Sequence, residues 1–123
     1  MLLDNFYKYD ITNHSDNTIE AVITLNKNHQ IFEGHFPEYP IVPGVTQVLM
    51  IKEILSSCLS TNLQLSSSKS IKFLAMINPN ETTTLQLNIS YQKDNDNIYK
   101  VNAHLFADDI NFLKLKGQYS ERK

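Results

Sequence analysis

Apolar residues along this chain follow two different rhythms. Between residues 19 and 25 they alternate with polar ones, at Ile19, Ala21, Ile23 and Leu25. That period of two predicts a half-buried strand. The same rhythm returns over 83–91, where Leu85, Leu87, Ile89 and Tyr91 share one face, and over 99–106 through Tyr99, Val101, Ala103 and Leu105. Further strands are expected at 6–12, 69–77 and 112–119. Residues 13–17, 94–97 and 107–109 carry the Asn and Asp chemistry of turns. Over 45–59 the rhythm changes. Polar residues there are confined to Thr46, Gln47, Lys52, Glu53, Ser56 and Ser57, and the first three turns are apolar on most sides. This predicts one buried helix. Residues 26–43 read as an ordered loop, and the Ser-, Asn- and Thr-rich stretch 56–70 as a second loop.

One helix that is apolar nearly all round, among antiparallel strands, predicts an α+β chain. A curved sheet wraps the central helix at about 45–59, and a single domain covers 1–123. The edges of such a sheet need covering, and pairing in a dimer would do that. A formal net charge of −2 gives no sign of a nucleic-acid binder. With one cysteine, Cys58, there is no intrachain disulfide. The chain opens without a basic segment leading into an apolar one, and no apolar run approaches the ~20 residues of a membrane helix. The expectation is a cytoplasmic protein with no membrane partner. His14, His29 and His104 show no metal-ligand spacing, so neither a metal nor a cofactor is expected.

The chemistry is concentrated in one run. Two of the three glycines (Gly34, Gly44) and three of the four prolines (Pro37, Pro40, Pro43) fall within residues 34–44, around His35. Such a segment has little backbone freedom and holds an imidazole in place. The run Gly34-His35-Phe36-Pro37-x-x-Pro40-Ile41-x-Pro43-Gly44-Val45, leading into the helix, resembles the signature of hot-dog-fold 3-hydroxyacyl-[acyl-carrier-protein] dehydratases. Ile71-Lys72-Phe73-Leu74 and Asn78-Pro79-Asn80-Glu81 are similar to that family's strand after the helix and its turn. The resemblance runs from about residue 18 to the end. It implies a hot-dog fold and a dimer with sites at its interface. It also implies a 3-hydroxyacyl substrate on the phosphopantetheine arm of an acyl carrier protein, and loss of water to a trans-2-enoyl thioester. Pathways of fatty-acid, polyene or polyketide-like synthesis fit that chemistry.

Within that resemblance His35 is the acid/base, since imidazole exchanges protons near neutral pH. The free N–H groups of Gly44 and Val45 at the helix N-terminus suit the thioester oxygen as negative charge develops on it. Phe32, Phe36, Pro43, Val45, Val48 and Leu49 are the expected substrate-lining residues. The pattern departs at one position. The family's acid stands fourteen residues after the histidine, and here that residue is Leu49. Glu53, one helical turn on, is one replacement. His35 acting alone through a water is another. The third is a carboxylate from a homologous partner, which makes a heterodimer an alternative to a homodimer. Gln47 points about 160° away from position 49 on a helix, and its amide could hold a water or the substrate hydroxyl. Lys52, Lys69 and Lys72 are candidates for meeting an acidic carrier protein. A weak or inactive acyl-binding subunit and, further off, a hot-dog thioesterase are the competing readings.

Overall fold

The computed structural model describes residues 5–34 and 40–122. His35 and Phe36 therefore lie outside the described residues. The elements run β1 (Tyr7–Ser15), β2 (Thr18–Leu25), α1 (Ile31–Gly34), α2 (Gly44–Leu59), β3 (Leu63–Phe73), β4 (Thr84–Lys93), β5 (Tyr99–Ala107) and β6 (Ile110–Glu121). All six strands form one antiparallel sheet in the order β1-β2-β4-β5-β6-β3. The period-2 residues become its inner face. Ile19 and Ile23 of β2, Leu85, Leu87 and Ile89 of β4, and Leu105, Leu113 and Leu115 of β5 and β6 are buried with Met50, Ile51, Ile54 and Leu55 of α2. A helix enclosed this way loses most of its apolar stripe to the sheet, which is the hot-dog arrangement expected from the sequence.

Turn chemistry sets the hairpins. Asp16 and Asn17 both take positive φ between β1 and β2, as does Asp108 between β5 and β6. That left-handed backbone matches the twist of the flanking strands. Ser60, at φ 52°, ends α2.

Three expectations are corrected. Residues 13–15 continue β1 rather than turning. The segment 26–43 contains the short helix α1. The larger correction is at 56–70, read as a loop: its first four residues belong to the helix expected to end at 59, and the strand expected at 69–77 runs from Leu63 to Phe73. Serines 66, 67, 68 and 70 belong to an edge strand whose register against β6 slips twice, at Leu65/Ser67 and Ser68/Ser70. Gly117 permits this. A Cβ there would stand 2.8 Å from both the Ser67 carbonyl oxygen and Leu65 Cδ1, so a bare backbone on β6 is what lets the bulged strand lie flat.

Tyr119 is fully buried on the inner face of β6, and its hydroxyl has no hydrogen-bond partner among the described residues. Burial pushes this phenol from 10.0 up to about 12. The neutral phenol is favoured in the folded chain, so its contribution is intact below pH 10. Between about 10 and 12 the unfolded chain sheds a proton that the folded chain keeps. Stability therefore falls as pH rises through that window, by at most roughly 3 kcal/mol. Tyr119→Phe is expected to raise stability at pH 7 by about 1 kcal/mol, because it removes an unpaired buried hydroxyl. It should also flatten the alkaline loss; urea titrations at pH 7 and 10.5 check both.

Candidate active site

The corner that leads into α2 is pinned from several sides. Pro43 (φ −60°, ψ 149°) precedes the helix without a side-chain cap. The Thr46 and Gln47 N–H groups both donate to its carbonyl, at 3.1 Å. Val42 is tied at both ends: its N–H donates to Ile77 O at 2.9 Å, and its carbonyl accepts from Gln47 Nε2 at 3.2 Å. The Gly44 and Val45 N–H groups, first in the helix, have no partner among the described residues, as the first turn of any helix requires. Two N–H groups on a fixed corner, at the positive end of a sixteen-residue helix, suit an oxygen that gains negative charge.

Gln47 is buried beside this corner, at 3% exposure. Its amide nitrogen holds Val42, but its Oε1 has no partner among the described residues. An unpaired buried amide oxygen costs about 1–3 kcal/mol, so this atom is an unused acceptor just inside the helix start. The helical angle put Gln47 opposite Leu49. Its burial on the sheet side, with Leu49 on the open side, follows from that geometry.

Gly44 puts no side chain at this corner. The space a Cβ would take is covered by the Phe73 ring, whose Cζ lies 2.8 Å from that point. Phe73 comes from the end of β3 and is itself half exposed. Its cover over the corner was not foreseen, because β3 was not seen as a neighbour of α2. Gly44→Ala should turn the half-exposed ring aside, at a cost of no more than about 1 kcal/mol. In Gly44→Ala/Phe73→Ala that cost should largely disappear, and a double-mutant cycle from denaturation midpoints measures the coupling.

The remaining candidates separate. Val45 is exposed, at 71%. Phe32 is in the core, its ring 5.6 Å from that of Phe6. Val48 packs partly against the core. Leu49 and Glu53 line one cleft of about 540 Å³ on the open face of α2, with Tyr9, Lys52, Ser56 and Arg122. Glu53 is engaged there: the Tyr7 hydroxyl of β1 donates to its Oε1 at 2.8 Å. Burial first, and the carboxylate second, hold the Tyr7 phenol far above its ordinary value, so it stays a donor at any physiological pH. Nine residues of helix separate Glu53 from Gly44, about 13 Å along the axis. Leu49 is about 7 Å from Gly44 by the same rise. Cys58 is half buried, and burial pushes its thiol up, which makes it a poor nucleophile.

A six-stranded antiparallel sheet around one helix, with a pinned Pro-Gly corner at the helix start, defines a hot-dog protein of the dehydratase-like kind. The family model described as "ApeI-like: ApeI dehydratase" matches residues 11–109, and the chain belongs to that family. Among curated proteins it is 28% identical over 93 residues to the 3-hydroxyacyl-[acyl-carrier-protein] dehydratase FabZ of Ehrlichia chaffeensis, covering 72% of this chain and 65% of that one. It is 30% identical over 79 residues to the FabZ of Wolbachia pipientis wMel, covering 58% and 55%. The match thus spans little more than half to just under two thirds of these relatives' lengths. Among solved structures, the dehydratase heterocomplex ApeI:P from Xenorhabdus doucetiae aligns with a TM-score of 0.71 at 21% identity, over 93% of this chain and 95% of that one. The E. coli PaaI protein aligns at 0.66 and 13%, over 94% and 80%. At these identities the two structures speak for the fold. Among the described residues no helix is long and apolar enough to cross a membrane.

Proposed function

We propose that this chain dehydrates 3-hydroxyacyl thioesters carried by an acyl carrier protein, as one subunit of a paired hot-dog unit. The observation that carries the reading is the dehydratase family match, whose span includes the whole His35-to-Val45 run. His35 takes the C2 proton. The electron pair left at C2 is held as an enolate whose oxygen accepts from the Gly44 and Val45 N–H groups. That pair then forms the C2–C3 double bond as the C3–O bond breaks, and the hydroxyl leaves as water with one proton from an acid. Leucine at position 49 supplies no such proton, and Glu53 is bound to Tyr7 some distance up the helix. The acid therefore comes from a homologous partner, or from the His35 imidazolium through a water.

The open edge of β3 and the exposed Val45, Phe73, Leu74 and Met76 support a partner chain at this end of the molecule. A second reading rests on Leu49: an acyl-binding subunit that completes another chain's site. One experiment separates the two. A 3-hydroxyacyl carrier protein is incubated with this chain alone and with a homologous hot-dog chain, and enoyl formation is followed by mass spectrometry. Turnover requiring His35 supports the dehydratase. Turnover that survives removal of His35 and depends wholly on the partner's histidine supports the accessory subunit.

A further inference from the structure

The outer face of β5, β6 and β3 collects positive charge in a way the fold does not need. The cross-strand rows are read directly from the register. His104 faces Lys114, which faces Lys72; Asn102 faces Lys116, which faces Ser70; Lys100 faces Gln118. Lys72, Lys100, Lys114 and Lys116 are all exposed, and Lys69 stands exposed in the adjoining bulge of β3. Five of the chain's eleven Lys and Arg residues thus lie on three neighbouring strands. Across β3, β5 and β6 the only acidic residue is Glu121, at the last position of β6. No ion pair engages any of the five lysines among the described residues. Directly opposed like charges destabilise a sheet, and Lys72 and Lys114 are such a pair. Between the strands lies a shallow depression of about 280 Å³, lined by Asn88, Ser90, Asn102, His104, Lys114 and Lys116.

We infer that this basic outer face of β5, β6 and β3 is the docking surface for the acidic face of a protein, the carrier that delivers the thioester. The inference rests on the proposed function for the carrier's identity, and on charge for the surface. The chain as a whole is negative, at −2, so a local patch, not overall charge, does the attracting. That suits a compact acidic partner better than a long polyanion. The position also fits. Lys72 directly precedes Phe73, whose ring covers the Gly44 corner from the inner side of the same strand. The α2 N-terminus opens at the same Phe73 end where the proposed partner chain meets this one, so a flexible arm from a carrier seated on the outer face enters along that seam.

The test uses the full chain with a purified holo acyl carrier protein, binding measured by calorimetry at low and moderate salt. The Lys72→Gln/Lys114→Gln/Lys116→Gln variant should bind at least about tenfold more weakly and with a shallower salt dependence. Its thermal midpoint should not fall, because an opposed like-charge pair has been removed. Lys8→Gln/Lys27→Gln, which removes two charges elsewhere, should bind within about twofold of the parent. Equal binding by the triple variant overturns the inference, as does an equal loss in the control. Tighter binding of a DNA duplex or of phosphatidylglycerol vesicles than of the carrier overturns it too. Turnover of a small N-acetylcysteamine 3-hydroxyacyl thioester is measured in parallel. Turnover without carrier binding overturns the surface and leaves the dehydratase standing. Lysine-dependent carrier binding without turnover, with or without a homologous partner chain, supports the surface and overturns the dehydratase.

Discussion

His35→Ala is expected to lower enoyl-thioester formation by about 10²–10⁴-fold, the usual contribution of one positioned general acid–base group. Three prolines within the eight residues after His35, Pro37, Pro40 and Pro43, remove backbone freedom on its C-terminal side. At the far end of the run, Val42 is held by Ile77 and Gln47, and the Pro43 carbonyl takes two N–H donors. A base and an oxyanion site joined by so short and proline-rich a sequence are expected to keep a narrow range of spacings. The substrate's C2 and its thioester oxygen require that, being two bonds apart along the acyl chain. Removing the imidazole leaves the Gly44 and Val45 N–H groups untouched, so substrate binding should persist while turnover falls. His35→Gln, which keeps a polar side chain but cannot carry the proton, should lose as much. Single-turnover mass spectrometry with saturating carrier-bound substrate reads the chemical step, and circular dichroism melting verifies the fold. Turnover within about threefold of the parent in both variants would remove His35 from the mechanism.

Most of this architecture was legible because its signals are local. Alternation at 19–25, 83–91 and 99–106 is a direct imprint of a sheet with one buried face. The all-round apolar character of 45–59 is that of a helix the sheet encloses. Asp16-Asn17 and Asp108 mark hairpins by the backbone they tolerate. What escaped depended on distant residues. Serines 66–68 have the composition of a loop, and they form an edge strand only because β6 offers Gly117 at the bulge. Phe73 reads as one more strand residue until that register brings its ring over Gly44. Glu53 beside Lys52 invites an ion pair, yet its partner is Tyr7, forty-six residues away. The site was legible in the same uneven way. The Pro-Gly corner is a short-range pattern and was found whole. Gln47 reads in the sequence as an amide turned away from position 49, and only the packed chain exposes its oxygen, unpaired among the described residues.

Leu49→Glu is the second large effect, and in the opposite direction. It should raise the turnover of this chain in the absence of any homologue by about 10²-fold or more, the gain from restoring one general acid. Position 49 lies about 7 Å from Gly44 along the helix, where Glu53 lies about 13 Å away. Leu49 lines the open cleft and is only partly buried against the core, so a carboxylate there can turn to the cleft. Lys52 in the same cleft offers a counter-charge on the adjoining turn. If a second copy of this chain supplies the missing group across the interface, the variant completes both sites of a self-paired unit. With a homologous partner that already carries an acid, the same substitution should add little, because a site with one acid gains nothing from a second. Turnover rates of parent and variant, each alone and each with the homologue, give four numbers. A gain confined to the lone chain assigns the missing acid to the partner. No gain in either setting would mean that the His35 imidazolium delivers the proton itself, and the leucine would then be the native form of a one-residue mechanism.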